Sequence, residues 1–300
     1  MPFSSHKIRV AVLRGGPSPE YKQSLCTGKY VLDNLPEEYE PVDVLVSRTG
    51  DWHESGISRD PHKILHRVDV VWNALHGQFG EDGKIQKLFE HFGTPYSGSS
   101  VVASSVGMNK ILAKKMFERA GIKTPYYITA SRDEDRQEVC QRFHKAMPFP
   151  IVIKPVSSGS SFGISIAKSP KEIGEALKKA FDYSDTIIAE EFIDGKEVVS
   201  GVIEDFRGEP HYSLLPTCNF TGEESKMIQE LAVSAHKALG LRHFSQINAI
   251  LHPKRGIFIL EVNTLPKLHE ESGFVQSLKS VGSGIKEFIS HTLRRVLIKK

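Results

Sequence analysis

Across its opening third the chain alternates apolar runs with amphipathic ones, and that alternation narrows the fold more than any other feature. Ile8 to Leu13 reads as a buried strand, Gly15-Gly16 as a turn, and Pro17 to Leu35 as a helix begun after Ser18 and stopped by Pro36. Val42 to Val46 and Val68 to Leu75 read as further strands, each bounded by charged or turn residues. Strands interleaved with helices predict a parallel, doubly wound α/β sheet, whose ligands sit beyond the carboxyl ends of the strands. Two polar clusters fall at such ends, Gly15 to Glu20 and His76 to Gly83. The first is no P-loop, because no G-x-x-x-x-G-K-[ST] runs through it.

Further on, Lys84 to Phe92 reads as a helix and Tyr96 to Ser99 as a turn that closes the first domain. Asn109 to Ala120 is a helix ending at Gly121, the expected C-cap glycine. A charged helix (Asp133 to Lys145) precedes the apolar run Pro150 to Ile153, which ends in Lys154. Small residues follow from Ser157 to Ser161, and a second strand begins at Ile164. A hairpin with such a tip can lay backbone N–H groups over phosphate oxygens, because small side chains allow close approach. The lysine adds a point charge for the same oxygens. The competing reading is an ordinary solvated loop. Ser169-Pro170 opens another helix with a serine cap and a proline in its first turn. Thr186 to Ala189 is a strand running into Glu190. The last third carries strands at Glu197 to Ile203, Phe244 to Leu251 and Gly256 to Val262, with a helix between the first two. A basic amphipathic helix ends the chain, and its Arg294, Arg295, Lys299 and Lys300 read as a solvated face.

Composition excludes several classes of function. The net charge of +3 over 300 residues is too small to argue for nucleic acid or an anionic membrane. The three cysteines are few, odd in number and widely spaced, which suits a reducing compartment and forms no zinc pattern. The first apolar run is short and broken by Arg9, unlike a signal peptide, and no segment has the apolar length of a membrane span. A cytoplasmic protein of two or three domains is expected.

Three places can carry chemistry. Glu261 and Asn263 alternate on one strand and so share a face, with Asn248 alongside if the two strands form a hairpin. Three oxygen-bearing side chains there suit Mg²⁺ bridging nucleotide phosphates, although exposed strand faces are commonly polar in any case. In His76-Gly77-Gln78-Phe79-Gly80-Glu81-Asp82-Gly83, His76 is read as facing a ligand, with Glu81 and Asp82 capping the helix from Lys84. Glu20 opens the first helix, where a carboxylate either reaches the ligand crevice or complements the helix dipole.

Together these residues resemble the D-alanine–D-alanine ligase family of the ATP-grasp superfamily. The resemblance rests on GGPSPE (Gly15 to Glu20), HGQFGEDG (His76 to Gly83), YSGS (Tyr96 to Ser99) and MNK (Met108 to Lys110). KPVSSGSSFG (Lys154 to Gly163), EEFIDGKE (Glu190 to Glu197) and LEVNTLP (Leu260 to Pro266) complete it. Each is weak alone; their register along almost the whole chain makes the identification.

The resemblance implies a parallel-sheet substrate domain over 1–99, a central ATP-grasp subdomain with the phosphate-covering hairpin over 100–190, and a C-terminal ATP-grasp subdomain over 191–300. ATP would lie between the latter two, with Mg²⁺ (or Mn²⁺) held by Asn248, Glu261 and Asn263. Lys110 and Lys154 would hold the phosphates and Ser160 and Ser161 would close over them. Glu190, Glu191 and Ile193 would line the adenine, Leu260 would lie at the nucleotide, and Glu197 would hold the ribose. Glu20 would bind the first amino acid's ammonium beside His76, and Ser272 would touch the second one's carboxylate. The implied reaction is ATP-dependent joining of two amino acids through an acyl phosphate, for peptidoglycan precursors, by a homodimer.

The chain also departs from the family, chiefly at the acyl-transfer end. Gln246-Ile247-Asn248 stands where the family has R-x-D, so the catalytic arginine is a neutral glutamine and a metal-binding aspartate is an asparagine. Lys267 replaces a glycine whose N–H serves the reaction centre, and Lys22 replaces a glutamate. The family's lid tyrosine has no counterpart in the short segment from Leu214 to Met227. An altered or slow ligase is one expectation; the alternative is a nucleotide-binding pseudoenzyme or regulator.

Overall fold

The computed structural model describes residues 7–159 and 161–298. The opening segment folds as β1 (Ile8–Gly15), α1 (Tyr21–Asp33), β2 (Tyr39–Val46), β3 (Trp52–Glu54), β4 (Ile57–Ser58), α2 (Pro61–Leu65) and β5 (Val70–Asn73). Its sheet has the order β4-β3-β2-β1-β5. Both neighbours of β1 run parallel to it, and β3 and β4 add an antiparallel edge. That edge and α2 were not expected, being too short to show a hydrophobic period. Helix α1 also starts later than the Pro17 expected. Pro17 and Pro19 push the residues before them out of the helical region, and Ser18 Oγ accepts from Glu20 N–H (3.0 Å) to make a turn instead.

Next come α3 (Lys84–His91), α4 (Val101–Met108) and α5 (Lys110–Arg119). Asn109 ends α4 and caps α5, its Oδ1 accepting from Ile111 and Leu112 N–H at 3.1 Å each. The cap fixes where Lys110 leaves the first turn.

The middle segment contains β6 (Tyr127–Ser131), α6 (Arg136–Ala146), β7 (Ile151–Pro155), β8 (Ser165–Ala167), α7 (Pro170–Phe181) and β9 (Thr186–Glu191). Its antiparallel sheet has the order β6-β9-β7-β8. Ile151, Ile153, Ile187 and Ala189 are buried in one core with Phe143 of α6 and Ile173 and Leu177 of α7. Ser169 occupies the N-cap of α7 as expected, but its hydroxyl donates to Glu172 Oε1 (2.8 Å) rather than capping a backbone N–H.

The last segment holds β10 (Lys196–Phe206), β11 (Glu209–Ser213), α8 (Gly222–Ala238), β12 (Phe244–His252), β13 (Gly256–Asn263), α9 (Gly273–Ser280) and α10 (Ile285–Ile298). Its sheet is antiparallel in the order β11-β10-β12-β13. The register of β12 and β13 shifts so that Asn248 faces Glu261 while Ala249 faces Ile259. Leu260 is therefore the extra residue of a β-bulge. Phe288, Leu293 and Val296 of α10 are buried in a core shared with Trp72 of β5 and Phe244 of β12, whose rings stack at 6.0 Å. The basic face of α10 is not simply solvated. Arg295 pairs with Glu204 (3.4 Å) and Asp205, and Arg294 reaches Glu38 at 3.5 Å. Lys299 and Lys300 lie outside the described residues.

The architecture is thus the expected mixed α/β fold, one parallel-centred sheet followed by two antiparallel ones. Among the described residues no helix is long and apolar enough to cross a membrane.

Candidate active site

The site is built where the loops after β1 and β5 meet the exit of β13 and the hairpin between β7 and β8. In the second loop, Gly77 (φ +70°), Phe79 (φ +73°) and Gly83 (φ +93°) all take left-handed backbone. Space as well as φ demands glycine at 77, since a Cβ there would lie 2.5 Å from Ser18 Oγ and 2.6 Å from Glu20 Oε1. Gly159 at the hairpin tip is a second case, its Cβ falling 2.3 Å from Glu20 Oε1. Glu20 is thereby enclosed by two stretches of backbone that only small residues permit.

Glu81 is the residue that sequence reasoning misplaced. It does not cap α3, whose N-cap is Gly83; Asp82 Oδ1 alone accepts there, from Lys84 N–H at 3.1 Å. Glu81 turns inward and accepts from Gly77 N–H (2.7 Å), Leu265 N–H (3.1 Å) and Thr264 Oγ1 (3.2 Å). It therefore ties the glycine loop to the chain leaving β13. Burial, and then the charge of Glu20, push its pKa up to about 8. Two facing carboxyls in a dry site do not both ionise readily.

His76 is buried, and its Nε2 lies 2.8 Å from Thr27 Oγ1. Since Thr27 Oγ1 already accepts from Leu268 N–H (3.2 Å), its own proton is available to the ring. Burial, with Lys267 adding repulsion, pushes the His76 pKa down to about 3, so the ring is neutral at physiological pH.

Gln246 and Asn248 of β12 face Asn263 and Glu261 of β13 in register, which places the expected metal-binding side chains together. Gln246 Nε2 donates to Asn248 Oδ1 and Asn248 Nδ2 to Glu261 Oε1, each at 3.1 Å. These residues share a cavity of about 370 Å³ with Glu20, His76, Glu81, Ser161, Lys267 and Ser272. Ser272 caps α9 without a side-chain cap bond; its hydroxyl donates to His269 O (2.8 Å). Ser160 lies outside the described residues.

Beside this cavity stand buried cations. Lys154, at the end of β7, donates to Glu190 Oε2 (2.7 Å), and Lys114 lies 3.2 Å from Glu190 Oε1. Lys110 donates to Ser158 O of the hairpin and stands 3.8 Å from Glu261 Oε2. Burial lowers the pKa of Lys110 and Lys114; at Lys154 burial is outweighed by Glu190 and the pKa rises. Sequence reasoning missed Lys114, although it falls one turn after Lys110 on the same face of α5.

The remaining expected residues stand apart. Glu191 alternates away from Glu190 on β9, bonding Arg255 twice at 2.9 Å and accepting from Tyr126 N–H at 3.0 Å. Ile193 is buried, Leu260 half-buried at the bulge, Glu197 exposed on β10 opposite Ile250, and Lys22 exposed on α1. The connection from Leu214 to Thr221 runs beside β10, with Leu214 and Thr217 N–H bonding Gly201 O (2.8 Å) and Val199 O (3.2 Å). It ends in a capping box formed by Thr221 and Glu224.

Comparison with known proteins places the chain, by sequence and by fold, in a family. The family model for the D-ala D-ala ligase N-terminus matches residues 54–99, and that for the D-ala D-ala ligase C-terminus matches 116–216 and 211–294. The chain is 34% identical over 309 residues to the D-alanine–D-alanine ligase of Geobacter sulfurreducens, covering 95% of this chain and 93% of that one. It is 33% identical over 313 residues to that of Geotalea uraniireducens, covering 97% and 96%. Among solved structures, the D-alanine-D-alanine ligase from Coxiella burnetii superposes with a TM-score of 0.87 at 23% identity, over 98% and 96% of the two chains. The VanG D-Ala:D-Ser ligase from Enterococcus faecalis gives 0.84 at 26%, over 97% and 100%. The chain belongs to the D-alanine–D-alanine ligase family.

Proposed function

We propose that the protein joins two D-amino acids, D-alanine first among them, in an ATP-dependent reaction through an acyl phosphate. One observation carries the proposal: Glu20, His76, Gln246, Glu261 and Ser272 line a single cavity under the hairpin tip. Lys110 and Lys154 would hold the phosphates as preorganised charges. Glu20 would hold the ammonium of the first amino acid, with neutral His76 fixing the wall beside it. Ser272 and the start of α9 would receive the carboxylate of the second. The hairpin tip would keep water from the acyl phosphate. Glu190, Glu191 and Ile193 would line the adenine, Leu260 would lie at the nucleotide, and Glu197 would hold the ribose hydroxyls.

Asn248, Glu261 and Asn263 offer hard oxygen donors that fit Mg²⁺, and Mn²⁺ in its place. Only one of the three is a carboxylate, so the ion would be held more weakly than by two. When bound, it would neutralise phosphate oxygens. The product would serve peptidoglycan precursor synthesis in the cytoplasm, made by a homodimer that needs neither nucleic acid nor membrane.

A second reading, nucleotide binding without ligation, is favoured by the amide chain Gln246–Asn248–Glu261. No cation stands at position 246 to meet developing negative charge, and losing such a donor costs on the order of a hundredfold or more in rate. Amino-acid-dependent ADP release with Mg²⁺-ATP decides between them. Release stimulated by D-alanine or another D-amino acid supports ligation. ATP binding in calorimetry with no stimulated release leaves the second reading, and no ATP binding removes both.

A further inference from the structure

Three side chains outside this cavity converge on the face of the last sheet that packs against α8. Glu204 on β10 and His211 on β11 are cross-strand partners, and His236 comes from the final turns of α8. A carboxylate oxygen and one ring nitrogen from each histidine lie within 4.8 Å of one another. Strand alternation separates the group from the ligase cavity. Ile247, Ala249 and Val262 pack into the core with α8, whereas Gln246, Asn248 and Glu261 line the cavity on the other face.

His236 is 1% exposed, and its Nε2 has no hydrogen-bond partner among the described residues. Its other nitrogen, Nδ1, lies 2.8 Å from Ser245 Oγ, an outer contact that can fix the tautomer and leave the Nε2 lone pair facing inward. Glu204 Oε1 is 3.8 Å from Nε2. That is too long for a hydrogen bond, yet within the spacing of two ligands that each bind one ion at about 2.0–2.2 Å. The second oxygen of Glu204 is held from behind by His243 N–H (2.9 Å) and by Arg295 (3.4 Å), which turns Oε1 toward the histidines. Two imidazoles and one carboxylate form a donor set of intermediate softness, suited to Zn²⁺ and its neighbours rather than to Mg²⁺.

We propose that Glu204, His211 and His236 form a binding site for a divalent transition-metal ion, with Zn²⁺ the expected occupant and water completing its shell. The ion ties β10, β11 and α8 together and so pins both ends of the 214–221 connection. It takes no part in ligation. The competing arrangement is direct contact of His236 with Glu204, with no metal between them.

The test uses the full chain, stripped by chelator, free of nucleotide and titrated with Zn²⁺. Calorimetry should show one equivalent bound through this site, with a rise in melting temperature of about 3 °C or more. His211→Ala should abolish the rise, whereas Glu261→Gln in the ligase cavity and His66→Ala among the surface histidines should retain it. Equal responses from His211→Ala and the parent, or no response from the parent, overturn the proposal in favour of the metal-free contact. Should His211→Ala fail to fold, Co²⁺ substitution in the parent decides. Intense visible absorption supports the site, and a spectrum like that of the hydrated ion overturns it.

Discussion

Glu190→Gln removes the one carboxylate that two buried lysines share beside the proposed phosphate site. Glu190 and Lys114 are each 1% exposed and Lys154 is 7% exposed. Burial alone would raise the Glu190 pKa, but attraction to Lys154 and then Lys114 holds it below the ordinary carboxylate value. Removing one partner from a buried ion pair costs about 3–5 kcal/mol, because the other charge stays buried without compensation. At about 2–4 °C per kcal/mol for a large chain, the variant should melt roughly 6–20 °C below the parent. The sign of the pH dependence follows from the lowered pKa. The stabilisation is present above the unfolded-state value of about 4.3 and is lost as pH falls through the folded value. The two melting curves should therefore converge in acid. ATP brings replacement negative charge to Lys154, so it should raise the variant's melting temperature more than the parent's. Scanning fluorimetry with and without Mg²⁺-ATP, near neutral pH and in acid, reads all three effects. Equal melting of variant and parent near neutral pH would refute the energetics, and equal stabilisation by ATP would remove Lys154 from the phosphate site.

Three further outcomes are expected. The Glu81 pKa is raised to about 8, so its stabilising, protonated form is fully present below about pH 4.3 and lost as pH rises toward the folded value. Glu81→Gln should accordingly flatten the decline in unfolding free energy between those limits, and an unchanged slope in urea titrations counts against the burial argument. Gly159→Ala puts a methyl 2.3 Å from Glu20 Oε1; overpacking of about 1–3 kcal/mol should raise the KM for the first amino acid about tenfold and lower the melting temperature by roughly 2–12 °C, and an unaltered KM would separate the hairpin tip from that substrate. Gln246→Arg combined with Asn248→Asp should raise D-alanine-dependent ADP release by on the order of a hundredfold; no response would place the deficit elsewhere, in the short 214–221 connection.

The elements legible in the sequence are those whose signal is local. The helix from Lys110 shows its asparagine cap and its terminal glycine within one stretch of chain. The pairing of β12 with β13 follows from two apolar strands joined by a short turn, but the bulge at Leu260 that sets Asn248 opposite Glu261 left no local signal. Elements too short to show a period, β3, β4 and α2, left no such trace. Side-chain partners were harder to read than backbone. Ser169 sits at the N-cap as its sequence context suggests, but Glu172 takes its hydroxyl. Arg295 reads as one more basic residue on a helix until Glu204 and Asp205, remote in sequence, appear beside it.

Glycines, caps and strand periodicity act over a few residues, so the chain by itself determined most of the longer elements, the family and the identity of the loops that meet at the site, while α4, β6, β11 and α9 went unread along with β3, β4 and α2. Only the tertiary structure decided that Glu81 faces Glu20 rather than the end of a helix, that Lys114 joins Lys154 on Glu190, and that two histidines and a glutamate share one buried corner. Each of those pairings depends on a dry environment assembled from distant segments. Burial is what turns a neighbouring charge from a screened contact into one that sets protonation and stability.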